Sequence, residues 1–138
     1  MEQLHPQVIF VLRVVVALVW LHEGLWLKLI ARAPHEVAVV EAVGQVGPLS
    51  PLQLLTLIGA GETLLAVGVL SGLFSRTLSL FQIVLLVTMN TIGILSSGGT
   101  AIPDPLGLVI KNLPLLMCIA LIGLYGPGAW AWKLRRNE

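Results

Sequence analysis

The sequence predicts an all-α integral membrane protein, a bundle of four transmembrane helices. Three observations carry that prediction. Of the 138 residues 57% are hydrophobic and only 11% are charged, against about 45–50% and 25% in soluble domains. Four apolar stretches each approach the roughly 20 residues that a helix needs to cross about 30 Å of hydrocarbon. None shows the alternation of barrel strands, and lipid permits only helices or closed barrels.

The first span runs from about Val8 to Leu29. Ala31-Arg32-Ala33 follows it like a cleavage site, but the run is too long for a signal-peptide core and no Lys or Arg precedes it. A retained membrane helix is expected. Next, Pro34 opens HEVAVVEAVGQVG, read as a short amphipathic helix over about 34–45 in the first outer loop. Proline suits a first turn, Glu36 suits the positive helix end, and Gly44 or Gly47 can close it. The second span covers about 51–73, where Gly59, Gly61 and Gly68 can admit close helix neighbours. The third covers about 77–95. The helix-breaking SSGGTAIPDP then precedes a fourth span over about 106–132. Pro114 inside LGLVIKNLPLL predicts either a kink or a new helix capped by Asn112. The whole chain reads as one membrane domain.

Basic residues set the expected orientation. Lys133, Arg135 and Arg136 in the tail and Arg76 in the short turn between spans two and three favour the cytoplasmic side. Four crossings then place both termini in the cytoplasm, in a cell (inner) membrane, with Arg13 as support at the N-terminal end. Trp130 and Trp132 beside the basic tail suit an interfacial anchor. A net charge of +1 and the lack of a dense basic patch give no case for nucleic acid. The single cysteine, Cys118, rules out an intramolecular disulfide and a Cys-x-x-Cys relay. That excludes the disulfide-forming and vitamin K epoxide reductase families.

Ionisable groups at bilayer depth are costly and normally face the protein interior in a functional role. Taking a rise of 1.5 Å per residue, Glu23 lies roughly 9 Å and Glu62 roughly 16 Å below the outer surface. Asn90 and the pair Lys111–Asn112 fall at roughly 8–10 Å. All four spans thus contribute polar groups to the outer half, whereas the inner half has Arg13 and Gln82 near an interface, where long side chains reach headgroups. A polar pocket is expected there, with Lys111 as the first partner for Glu62, and Lys28 or Arg13 next. His22 points about 100° from Glu23 on a helix. No second histidine sits in the core to complete a haem site, and neither a metal-ligand cluster nor a nucleotide motif is present. Trp20 and Trp26 read as packing or interface residues. The same polar groups could instead simply pin helices together.

The run W-L-H-E-G-L-W-L-K-L (Trp20–Leu29), then P-H-E (Pro34–Glu36), V-x-x-V-G, G-A-G-E (Gly59–Glu62), D-P (Asp104–Pro105) and K-N-L (Lys111–Leu113) resembles the DoxX-like membrane proteins, in order and over nearly the whole chain. The family-like positions are Glu23, Gly24, Lys28, Glu36, Glu62, Asp104, Pro105, Lys111 and Asn112. The namesakes are membrane subunits of a thiosulfate:quinone oxidoreductase, and other members are linked to redox and sulfur stress. The resemblance therefore implies a redox-linked subunit with a pocket for a quinone or other lipophilic small molecule. Glu62 and Glu23 would handle protons there, while Lys111, Asn112, Asn90, Lys28 and His22 would contact the ligand. Electrons would come from a protein partner. The alternatives are a non-catalytic assembly subunit, or a small-solute permeation protein acting as a homo-oligomer.

Overall fold

The computed structural model describes residues 4–98 and 100–132. The basic tail residues Lys133, Arg135 and Arg136, on which the expected orientation leans, lie outside the described residues. Within them the chain is all-helical: α1 (Pro6–Leu21) running on into a π-helical segment (His22–Ile30), α2 (Pro34–Val43), α3 (Pro51–Ser71), α4 (Ser75–Ser97) and α5 (Pro105–Tyr125). Four helical stretches of 25, 21, 23 and 21 residues (α1 with its π segment, then α3, α4 and α5) are long and apolar enough to cross a membrane.

Each boundary has a chemical cause. Ser50 and Gln53 cap α3 reciprocally: Ser50 Oγ accepts from the Gln53 amide at 3.3 Å, and Gln53 Oε1 accepts from the Ser50 amide at 3.0 Å. Asp104 accepts from the Gly107 amide at 2.9 Å and starts α5. α3 ends at Gly72 (φ 74°), in the left-handed region that glycine enters without penalty. α5 stops at Tyr125 because Gly126 turns at φ 85°, so the fourth span ends seven residues before the expected 132. Its helix runs through Pro114 without restarting, so Asn112 is no cap.

α1 packs between α3 and α5, α4 lies against α5, and α3 meets α4 only slightly. α2 fills the gap between α3 and α4 and touches both. Only Val40 of α2 is buried, and Val37, Ala38 and Val39 are half-buried in succession, so this helix shows no sharp division into apolar and polar faces. It is a plug in the bundle rather than a float on its surface. The end that holds α2 is called the α2 end below, and the opposite one the termini end.

The core is built from Ile9, Val16, Ala17 and Trp20 of α1, Leu65, Ala66 and Val69 of α3, Leu86 of α4, and Ile119 and Ile122 of α5. Cys118 packs at its margin. Trp20 is buried, and its indole N–H donates to Gln82 Oε1 at 2.8 Å. Large apolar side chains such as Leu57, Leu64, Val67, Leu80 and Leu95 face outward, as a lipid environment requires.

Arg13 does not reach for headgroups as expected. It is fully buried at the termini end and donates to the carbonyls of Val69 (3.2 Å), Leu70, Pro127 (2.6 Å), Ala129 (2.9 Å) and Trp130 (3.4 Å). One guanidinium thereby holds the last turn of α3 and the segment after α5. The amide of Ala129 also donates to Pro6 O at 2.9 Å, so the described chain ends next to its beginning.

Candidate functional site

Near the α2 end a lysine is ringed by carboxylates. Lys28 Nζ lies 2.9 Å from Glu62 Oε2, 3.4 Å from Glu36 Oε2 and 3.7 Å from Glu23 Oε2. Its side chain is only 6% exposed, and exposure of its partners falls from 40% at Glu23 through 18% at Glu36 to 2% at Glu62. A lysine near a helix end in a membrane ordinarily snorkels outward to the interface. Lys28 turns inward, toward the acids.

The local backbone makes this possible. From His22 to Ile30 the helix is wound in the π form, and the Ala31 amide bonds five residues back, to Trp26 O, at 2.8 Å. In an α-helix, positions five apart are about 140° out of register. The i→i+5 winding of a π-helix brings them onto one face. Glu23 and Lys28 are five apart, and Lys28 Nζ also lies 3.4 Å from Glu23 O, to which it donates. Extended π segments are rare and often occur at functional sites.

Glycine supplies the rest. A Cβ on Gly24 would stand 2.7 Å from Glu62 Cβ and 2.8 Å from Gly59 O, and one on Gly59 would stand 2.8 Å from Lys28 Cβ. The α1 and α3 backbones therefore cross in near contact, as small residues permit in lipid. The crossing sets Glu62 beside Lys28. Gly61, expected to admit a neighbour, faces open space, and Gly68 meets only the flexible Leu78.

Part of the expected polar set comes together. Glu23, Lys28 and Glu62 converge, and Glu36 of α2 joins them. Glu62 pairs with Lys28 and not with Lys111, because the π winding and the glycine crossing turn the α1 lysine toward α3. Lys111 is exposed on α5, and Asn90 and Asn112 are half-buried elsewhere on α4 and α5. His22 is exposed, on a different face from Glu23. Among the described residues these four make no side-chain bond to the cluster. Glu36 was visible only through the resemblance, since a loop carboxylate has no depth signal of its own.

Glu62 Oε2, 2.9 Å from the Lys28 ammonium, makes the shortest of the three ion pairs. His35 Nε2 lies 3.6 Å from Glu36 Oε1 and adds a second, mostly exposed base. Among the described residues no three His, Cys, Asp or Glu side chains are arranged to hold a metal. The cluster offers three carboxylates to one buried ammonium, an acid surplus graded from the rim into the bundle.

A four-span helical bundle with an intramembrane lysine–carboxylate cluster defines a multi-pass membrane protein with a polar site near one end. The chain belongs to the DoxX-like family, whose model matches residues 17–120. That range includes every member of the cluster. No curated protein and no solved structure matches the chain.

Proposed function

We propose that the protein is the membrane subunit of a redox system, and that its Glu23–Lys28–Glu36–Glu62 cluster exchanges protons with a lipophilic carrier of quinone type. The observation that supports this most directly is the buried Lys28 ammonium within 4 Å of three carboxylates of graded exposure. Reducing one quinone to a quinol consumes two electrons and two protons. Glu23, at the half-exposed end, is placed to hand protons to a carrier arriving through lipid. Glu62 and Lys28 hold the reserve inside, and Glu36 with His35 connects the cluster to the surface. The electrons come from a partner protein, since the sequence offers no cofactor-binding motif. Within this reading the α2 end faces outward and both termini lie in the cytoplasm, following the basic Arg76 turn and tail.

A second reading is favoured by one observation: the cluster joins α1, α2 and α3, so it can serve as a structural pin in an accessory subunit. Glu62→Gln separates the two. It keeps size and hydrogen-bonding capacity but cannot ionise. If the cluster handles protons, quinone reduction by membranes carrying the variant as their sole copy falls about a hundredfold, with the folded protein still present at wild-type levels. An unchanged rate, or a loss that merely tracks loss of folded protein, rejects the proton role and leaves the pin.

A further inference from the structure

The strongest feature outside the cluster is a groove of about 450 Å³ along α3, lined by Arg32, Leu49, Leu52, Gln53, Thr56, Leu57 and Ala60. Such a volume falls in the range of about 300–1,000 Å³ typical of small-molecule sites. Its polarity is graded. Arg32 follows directly on the end of the first span, and Gln53 and Thr56 lie in the first two turns of α3. Leu57 and Ala60 continue the wall deeper into the membrane, so that from Leu52 to Ala60 the groove descends roughly 12 Å. A polar rim above an apolar trough matches a bilayer lipid in its ordinary orientation, head at the interface and chain alongside the helix.

Charge indicates which head. Lys28 draws Glu23, Glu36 and Glu62 to itself, and among the described residues Arg32 makes no ion pair. The guanidinium uses one N–H on Thr56 Oγ1 at 3.3 Å. Four of its five donors are left, in the planar fork that suits phosphate oxygens. Arg32 also sits at φ 46°, in the left-handed region disfavoured for a non-glycine residue. Its side chain lines the groove and reaches Thr56 across it.

We propose that this groove binds a phospholipid with an anionic headgroup, its phosphate on Arg32 and one acyl chain along Leu52, Leu57 and Ala60. The test uses the full chain, purified in neutral detergent and stripped of lipid. It is titrated with phosphatidylglycerol or with phosphatidylcholine of the same chains, and bound lipid is read by native mass spectrometry. Phosphatidylglycerol is retained roughly fivefold more tightly, the effect of about one interfacial cation. Arg32→Gly suits the observed φ, so the loop is kept while the guanidinium is lost, and the two lipids then bind equally. Ala60→Phe fills the trough and weakens both. Equal binding to wild type, a preference that survives Arg32→Gly, unchanged retention by Ala60→Phe, or inorganic phosphate competing as well as the whole lipid would each overturn the proposal.

Discussion

Replacing Gly24 with alanine acts on the helix crossing that creates the cluster. The added Cβ would stand 2.7 Å from Glu62 Cβ, 2.8 Å from Gly59 O and 2.9 Å from Thr63 N. Carbon contacts are comfortable at about 3.5–4.0 Å, so α1 and α3 must part by roughly 1 Å. Two of the three opposing atoms belong to the α3 backbone and cannot rotate aside. Overpacking of this kind costs about 1–3 kcal/mol, reduced by the roughly 0.5–1 kcal/mol that alanine gains over glycine inside a helix. Gly61→Ala is the matched control, because a Cβ there meets nothing within 4 Å. It should be neutral or stabilising by up to about 1 kcal/mol. The two variants should therefore differ by about 2 kcal/mol, close to thirtyfold in the folding equilibrium. Unfolding in mixed micelles of rising dodecyl sulfate fraction, followed by tryptophan fluorescence, measures that difference. If Gly24→Ala unfolds at the same point as Gly61→Ala, the backbones are not in contact and the explanation of how Glu62 reaches Lys28 fails.

Other substitutions probe the remaining polar anchors. Arg13→Met strips donors from five carbonyls, each costing roughly 1–3 kcal/mol if left without water. The segment 126–132 should then exchange its amides much faster than α5 does, as measured by hydrogen exchange, and equal protection of the segment in both proteins would count against the clamp. Trp20→Phe leaves Gln82 Oε1 without its donor in the core. A double-mutant cycle with Gln82→Leu should return a coupling of about 0.6 kcal/mol, the average for polar pairs between membrane helices, and a value of zero would remove the pair from the account of the core.

The four spans were legible because hydrocarbon sets both length and composition, and the order Pro34, Glu36, Gly44 was enough to locate α2. What stayed hidden depended on geometry that a helical wheel does not contain. Counting at 100° per residue separates Glu23 from Lys28, and no residue type marks the segment 22–30 as π-wound. Depth along a span singled out Glu62 and Lys111 alike, yet Glu62 is buried and Lys111 is exposed. Depth says nothing about azimuth, however, so the choice of partner between Lys28 and Lys111 could not be made from it. Arg13 was misread for a related reason. Its place in the inner half of the first span suggested an interface, but the carbonyls it satisfies come from residues 69–70 and 127–130, which only the folded bundle brings together. Gly126 in Gly-Pro-Gly did announce the end of α5, and the apolar residues beyond it concealed that signal.

Among the described residues two cations are buried, Arg13 and Lys28, and they differ in what surrounds them. Arg13 meets five neutral carbonyls and the face of the Phe10 ring, and its contribution is to hold chain segments together. Lys28 meets three groups that can each change charge, on three different helical elements. Neutralising any one of them weakens the attraction among α1, α2 and α3 at the same moment that it alters the proton inventory. Glu36 thus ties α2, which packs between α3 and α4, to the same ammonium that holds Glu23 and Glu62.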